Sequence, residues 1–390
     1  MCIRDRRYTV RGYGRRFGDS VGPGYLGMDR VGDHAGHDER AEASGINAAI
    51  VAIDEATAFE AAARHTRARL QALAAGLPAP PPGTPKVVSV DVLDLGEQVL
   101  ARLCTEWFGV PDGTHLKAGG TAAQAEPPPR CPRDLVDVAR YIFGPHPSVG
   151  VSAEGRARGQ AIQAATLAWL QQQLGPDGQG QPPAPLPRLA QAVHQGLGHL
   201  GLPVVADTLA GILLGFTPSV FGNYSNLMRA WIDRGTDGAR TLWDLQAMLL
   251  QAGAPIRGYE AANEVLRPAL IAQMRSCPIP TSVWREVAGT PVQDVTTGTG
   301  VPGDPTGESE PAKIVIGLHG VMQDPDAPEL LMWGGAWRGA EGYEDLKTLH
   351  ACPGHGLSTG VLMGIVSALV LAGSLRVSPS PTIVYWVGEG

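Results

Sequence analysis

Apolar residues recur every three to four positions along most of this chain, and that spacing is typical of helices with one buried face. Between residues 90 and 108 the apolar residues with this spacing are Val92, Leu95, Val99, Leu103 and Trp107. Clusters of glycine and proline interrupt the pattern, most clearly at 76–83 and 175–187. The sequence therefore predicts helices over residues 41–75, 90–108, 135–143, 153–174, 189–200, 204–234, 243–252, 260–275 and 356–371.

Short runs rich in β-branched residues occur late in the chain, at residues 283–287, 312–316 and 382–387. Because helices dominate and these strands are few, we predict a mainly α (α+β) fold with small β-sheets. We interpret residues 1–24 as an irregular, arginine-rich N-terminal segment and residues 25–390 as a single domain.

Composition and charge exclude several classes of function. Of the 390 residues, 44% are hydrophobic and 18% are charged, which is typical of a globular protein. The formal net charge of −7 argues against a nucleic-acid partner. The longest apolar run, residues 361–373, is shorter than the roughly 20 residues that a membrane span needs, and no signal peptide is visible. Five cysteines without a CxxC pair favour a reducing compartment, so we expect a cytoplasmic protein.

The segment with the clearest chemistry runs from His350 to Gly356, His-Ala-Cys-Pro-Gly-His-Gly, directly before an apolar helix. A cysteine at a helix N-terminus faces free backbone N–H groups and the positive end of the helix dipole, so we expect a lowered pKa for Cys352. Gly354 lets the backbone turn so that amide groups point at the sulfur. Such a thiolate is a strong axial ligand for a haem iron, and His350, two residues earlier, would lie beside the ring within reach of a propionate.

Three other interpretations of Cys352 stay open from the residues alone. In the first, it is an unreactive buried side chain, as most cysteines are. In the second, His350, Cys352 and His355 hold zinc, although no fourth ligand is visible nearby. In the third, Cys352 is a nucleophile and one of the two histidines is its base, although no further triad signal supports this.

The order His-Ala-Cys-Pro-Gly at 350–354 resembles the H-x-C-x-G core of the haem loop in the cytochrome P450 superfamily. The helix predicted at 356–371 is similar to the proximal helix of that family. Trp-Gly-Gly at 333–335 resembles the Phe-Gly that opens the loop, with an insertion at 336–348. The resemblance implies a divergent, bacterial-type member with a shortened N-terminal part, haem b (iron protoporphyrin IX) as cofactor, and Cys352 as the metal ligand.

Segments upstream of the cysteine follow the order that the family shows. Arg275 resembles the arginine of the family's E-x-x-R helix, with Ala272 in the place of the glutamate. We prefer this register to one that uses Glu264 and Arg267, because Arg267 then lies too far before Arg285. Arg285 matches the strand arginine that binds a haem propionate, and a forked guanidinium suits that task.

Residues 204–234 resemble the family's central helix, which crosses the distal face of the haem. If Gly215 is the family glycine, Thr217 takes the position of the usual acid and Pro218 that of the usual threonine, and no carboxylate is present. These three residues are our candidate catalytic residues. A faint resemblance near the N-terminus adds Arg40 as a candidate propionate ligand. The pocket would be lined by Leu209, Ile212, Leu213, Phe216 and Val220.

The resemblance implies three functions. The first, which we expect, is a monooxygenase that inserts one oxygen atom from O2 into a small apolar organic substrate, with a ferredoxin or flavoprotein reductase as partner. The second is a haem-thiolate enzyme that uses peroxide and tolerates loss of the acid. The third is a haem-binding protein without catalysis, which the missing acid and the missing glutamate favour.

Overall fold

In a computed structural model of the protein, the described residues are 8–9, 11–22, 45–82, 84, 86–110, 133–178, 180–232, 241–287, 292–293, 300–301, 313–318, 322, 329–333, 352–377 and 383–388. This part of the chain is mainly helical, as predicted. Its helices are α1 (Arg11–Gly18), α2 (Glu55–Ala75), α3 (Val92–Phe108), α4 (Arg133–Phe143), α5 (Val149–Leu174), α6 (Arg188–Leu197), α7 (Leu202–Ile232), α8 (Leu242–Gln251), α9 (Ala254–Arg257), α10 (Tyr259–Ser276), α11 (Glu329–Met332) and α12 (His355–Val370).

The longest of these helices, α7, lies at the centre of the core. It is apolar on nearly all sides, because α3, α4, α5 and α6 pack against it. Pro218 lies inside the helix and has no N–H, so the carbonyl of Leu214 loses its helical donor. Among the described helices, α7 alone is long and apolar enough to cross a bilayer. However, 72% of its apolar window is buried inside the protein, which is typical of a core helix.

Helix α12 packs against α2 so closely that two glycines are needed at the contact. A Cβ atom at Gly360 would overlap the backbone carbonyl of Glu55, and one at Gly364 would overlap that of Phe59. Any side chain at these positions would push the two helices apart. Beyond its first turn α12 is buried, so it is a rigid support for the residues that precede it.

Three small antiparallel sheets complete the described fold, with strand orders β1–β3–β6, β2–β8–β7 and β4–β5. In the second sheet, the early strand β2 pairs with the last described strand, with Lys86 opposite Gly388. This sheet therefore brings residues 86–91 next to the last described residues of the chain. The strands are β1 (Tyr8–Thr9), β2 (Lys86–Asp91), β3 (Ser282–Val287), β4 (Val292–Gln293), β5 (Gly300–Val301), β6 (Lys313–Gly317), β7 (Ser374–Val377) and β8 (Ile383–Gly388).

The N-terminal region differs from the irregular segment predicted for residues 1–24. Its described part forms β1 and α1, and its buried side chains include Tyr13, Phe17 and Val21. The Arg16 guanidinium donates to the Tyr141 carbonyl over 3.0 Å and lies 4.5 Å from the centre of the Trp284 ring. These contacts order the segment. Its few apolar core residues lie among many arginines, so the sequence shows no clear hydrophobic pattern there.

Most predicted helices agree with the structure to within a few residues. In the segments predicted at 41–75 and 90–108, an aspartate cap sets a helix start that the sequence pattern did not predict. The first is interrupted at Asp54, whose carboxylate accepts the Thr57 backbone N–H over 2.7 Å and so caps α2. In the second, the chain is a strand as far as Asp91, and α3 begins after it. Both boundaries depend on an aspartate cap within an apolar stretch that has no proline or glycine.

Candidate functional site

Cys352 lies in a tight turn directly before α12, and backbone groups hold that turn on both sides. The Cys352 amide donates to the Trp333 carbonyl over 2.8 Å. The Nδ1 atom of His355, the first residue of α12, lies 3.2 Å from the Cys352 carbonyl oxygen. The Cys turn, residues 352–356, is therefore tied to the chain before it and to the helix after it.

The thiol of Cys352 is desolvated and accepts a hydrogen bond from the backbone. Burial raises its pKa above the ordinary value, and a hydrogen bond from the Gly354 backbone amide partly offsets that rise. The predicted lowering of the pKa is therefore wrong for the thiol as the structure holds it, because burial outweighs the amide. The amide of Gly354 nevertheless points at the sulfur, as predicted, and would stabilise a thiolate formed on metal binding.

Trp333 lies beside the Cys turn and has an unsatisfied donor. Its ring stacks on that of His355, with ring centroids 6.0 Å apart and an angle of 28° between the planes. Its indole Nε1 is buried and finds no hydrogen-bond partner within the described residues. A buried N–H without a partner is costly, so an acceptor is expected here. A haem propionate is such an acceptor, and this donor fits it.

One face of α7 is partly open, although the rest of the helix is buried. Between Gly215 and Gly222, the half-buried positions other than Phe221 carry small residues at helical spacing. We call Gly215, Pro218, Ser219 and Gly222 the open face of α7. At its far end, a Cβ atom at Gly222 would lie 2.9 Å from Ile279, in the connection between α10 and β3. Small residues on this face let neighbouring parts of the chain approach α7 closely, as Ile279 does at Gly222.

Thr217, one of the three candidate catalytic residues, does not lie on the open face. Its side chain is fully buried, and its hydroxyl lies 3.4 Å from the Cys104 thiol of α3. It therefore links α7 to α3 within the core. The five apolar residues expected to line the pocket also pack in the core, because contacts such as Phe216 with Phe108, whose ring centroids are 6.1 Å apart, turn that face of α7 inward.

A group of ion pairs next to the Cys turn centres on Arg267 of α10. Its guanidinium donates to both carboxylate oxygens of Glu55, over 2.5 and 2.6 Å, and to Glu329 over 2.7 Å. All three side chains are partly buried, with exposures of 28% for Arg267, 14% for Glu55 and 33% for Glu329. The pKa of Arg267 is raised, because the carboxylates outweigh the cost of burying the guanidinium.

Neither register of the E-x-x-R pattern describes this cluster. Glu264 is bonded to Arg257, over 3.1 Å, and not to Arg267. The preferred register used Arg275, whereas the arginine of this cluster is Arg267, two turns earlier in α10. Sequence reasoning missed this cluster, because Glu55 lies 212 residues from its partner and no local motif connects them.

The side chains of three predicted ligands of the haem propionates lie outside the described part of the structure. Arg285 lies in β3 opposite Ile314 of β6, and only its backbone position is described. His350 and Arg40 lie outside the described residues. The roles of all three as propionate ligands stay predictions.

A zinc site at Cys352 finds no support in the described part of the chain. No group of three or more His, Cys, Asp or Glu side chains there is arranged to hold a metal ion. The ring of His355, one of the suggested zinc ligands, is stacked on Trp333, and its Nδ1 lies at the Cys352 carbonyl. A single thiol before a buried helix is the donor set of a haem-thiolate site.

No protein-family model matches the sequence, and a search of curated proteins gives no significant match. Solved structures do match it. CalO2 gives a TM-score of 0.56 at 17% sequence identity, over 99% of this chain and 88% of that one. A cytochrome P450, CYP102L1, gives a TM-score of 0.58 at 12% identity, over 98% and 84% of the two chains. P450BioI, in complex with an acyl carrier protein ligated to hexadec-9Z-enoic acid, gives 0.55 at 11% identity, over 97% and 84%.

At these identities the likeness describes the fold alone, but it extends over nearly the whole chain. The resemblance proposed from the sequence is confirmed at this level. The chain has the cytochrome P450 fold.

Proposed function

We propose that the protein is a haem-thiolate oxidoreductase in which Cys352 is the iron ligand. The Cys turn carries this proposal: one thiol lies at the start of buried α12, held by the Trp333 carbonyl and approached by the Gly354 amide. The cytochrome P450 fold supports it. The unsatisfied indole N–H of Trp333 supports it as well, because a propionate would satisfy that donor.

Haem b, when bound, would supply an iron centre able to activate oxygen or peroxide, which side chains cannot provide. Cys352 would hold the iron through its thiolate, and the Gly354 amide would hydrogen-bond to the sulfur and moderate its electron donation. Trp333 would donate to a propionate. The further propionate ligands that we propose from the sequence are Arg285, His350 and Arg40.

The proposed reaction inserts one oxygen atom into a small apolar organic substrate. When O2 is the oxidant, R–H, O2, two electrons and two protons give R–OH and water, and a ferredoxin or flavoprotein reductase supplies the electrons. When hydrogen peroxide is the oxidant, R–H and H2O2 give R–OH and water, and neither a reductase nor added protons are needed.

The residues of α7 favour peroxide as the oxygen source over the O2 expected from the sequence. The O2 reaction consumes two protons, and positioned side chains normally deliver them. Thr217 is occupied by Cys104 in the core, and Pro218 has neither a hydroxyl nor an N–H. The open face of α7 contains no carboxylate. The peroxide reaction does not depend on such groups.

The iron ligand is tested by the difference spectrum of the reduced, carbon-monoxide-bound protein. We expect a strongly red-shifted Soret band that is lost in Cys352→Ala and kept in Cys277→Ala, which alters a cysteine at the exposed end of α10. An unchanged band in Cys352→Ala, or a protein that does not bind haem at all, would refute the proposal.

The oxidant is tested by comparing turnover with hydrogen peroxide and turnover with O2 plus a reductase. Substrates should include free and carrier-bound acyl chains, since P450BioI binds an acylated carrier protein. We expect peroxide to give the faster turnover. The same residues of α7 also favour the third function, a haem-binding protein without catalysis. Normal haem reduction with no oxidation of any substrate, under either regime, would select it.

A further inference from the structure

Glu55 is held in place by two different side chains of α10. Both of its carboxylate oxygens accept from Arg267, and Oε1 also accepts from the Tyr259 hydroxyl over 3.1 Å. The side chain of Glu55 is only 14% exposed, so these bonds are shielded from water and are stronger than those of a surface pair. Burial raises the pKa of Tyr259 to about 12, and the negative charge of Glu55 and the hydrogen bond to it add to the rise.

The backbone of Glu55 is in contact with the helix that follows the cysteine. Glu55 is the first residue of α2, and its carbonyl is so close to Gly360 that a Cβ atom there would overlap it. Its own Cβ lies 3.9 Å from the Cβ position of Gly356. Glu55 therefore packs against the first two turns of α12, directly after the Cys turn.

The other arm of the Arg267 guanidinium reaches the chain that precedes the Cys turn. It donates to Glu329, the first residue of the short helix α11. Trp333 follows α11 at once, and its carbonyl accepts the Cys352 amide. One guanidinium therefore connects the support before Cys352 to the support after it.

We propose that Glu55, held by Arg267 and Tyr259, is a positioning residue for the Cys352 thiol. The inference rests on the proposed function, in which that thiol binds the iron. The carboxylate comes from α2, and through it the guanidinium of Arg267 fixes where α12 begins. An arginine suits this position, because its planar guanidinium can bind two carboxylates from different elements at once.

The test compares Glu55→Gln with Glu55→Asp in the full-length chain. Two readouts are used: the share of the carbon-monoxide complex with the red-shifted Soret band, and the rate at which N-ethylmaleimide labels Cys352 in the haem-free protein, followed by peptide mass spectrometry. In Glu55→Gln we expect the ratio of red-shifted to unshifted complex to fall, and the labelling rate to rise, each roughly tenfold, the scale of a lost charged hydrogen bond. Glu55→Asp should recover part of both.

The matched control is Glu264→Gln, which breaks an ion pair of α10 with Arg257 that is more exposed and does not touch the Cys turn. It should change neither readout. If Glu55→Gln behaves like this control, the positioning role is refuted. If Glu55→Gln does not fold, Tyr259→Phe takes its place, because it removes only one hydroxyl from Glu55, and it should move both readouts in the same direction. A wild-type protein without any red-shifted band would refute the proposed function, and the labelling rates alone would then decide the role of Glu55.

Discussion

The Cys turn with its supporting helices α2, α10 and α12 and the open face of α7 differ sharply in how much chemistry their side chains provide. Around Cys352, a carbonyl, an amide, a stacked pair of rings and a partly buried ion-pair cluster all act on a few residues. Along α7, the open face carries two glycines, a proline and a serine, and the nearby Thr217 is turned into the core.

This difference teaches that, in the proposed enzyme, the residues that would hold the cofactor and those that would face the substrate belong to separate elements of the fold. Helices α2, α10 and α12 hold the proposed metal ligand without any contribution from the side chains of the open face. The thiol side can therefore be complete while the open face of α7 contains no carboxylate for proton delivery. The comparison can be tested by changing each side separately.

The largest effect is expected for Gly360→Ala, which alters the contact between α2 and α12. The new methyl group would overlap the Glu55 carbonyl, so we expect the free energy of unfolding to fall by about 1–3 kcal/mol and haem binding to weaken. Urea unfolding measures the first effect and haem titration the second.

Gly196→Ala is the control for this change, because Gly196 lies in α6 with open space around it. It should raise the free energy of unfolding by about 0.5–1 kcal/mol, as alanine favours a helix over glycine. If Gly360→Ala is as well tolerated as Gly196→Ala, the close contact described here between α2 and α12 is wrong.

A smaller effect is expected for Thr217→Val, on the α7 side. Loss of the hydroxyl next to Cys104 should lower the free energy of unfolding by about 0.5–1 kcal/mol, while turnover with peroxide stays within twofold. Chemical unfolding and peroxide-driven turnover are the measurements. A tenfold loss of turnover with unchanged stability would show that Thr217 acts in catalysis, as its sequence position suggests, and the contrast between the two regions would disappear.

The smallest effect is expected for Asp54→Asn at the start of α2. Hydrogen bonds from the Thr57 backbone and side chain lower the pKa of Asp54 below 3.8, so its ionised form adds stability above that pH. This contribution is lost as the pH falls through the lowered value. Asparagine caps a helix about as well but does not titrate, so the variant should match the wild type at neutral pH. Unfolding measured from pH 7 to pH 2 should show a shallower acid loss in Asp54→Asn, and identical curves would contradict the cap.

The helices and the Cys turn could be predicted from the sequence, because both depend on local signals. Apolar periodicity identifies a long helix whatever packs against it, and the residues around Cys352 are adjacent in the chain. Strand β2 was missed, because its few alternating apolar residues run directly into the periodic pattern of α3.

Features that depend on distant partners could not be predicted from one sequence. The pairing of Glu55 with Arg267 joins two helices that have no motif in common. The direction of Thr217 follows from how α7 is rotated about its axis, and the bulky residues of α3 determine that rotation. The raised pKa of Cys352 has the same origin, because burial by the surrounding helices outweighs the local amide.

The pairing of β2 with β8 has a consequence for synthesis in the cell. The residues of β2 leave the ribosome about 300 residues before their partner exists, which at typical elongation rates is roughly 15–60 s. During that time β2 is an unpaired edge, and its exposed Val87 adds to its tendency to associate with other chains. Chaperone supply and slow induction should therefore decide how much of this protein is recovered in native form.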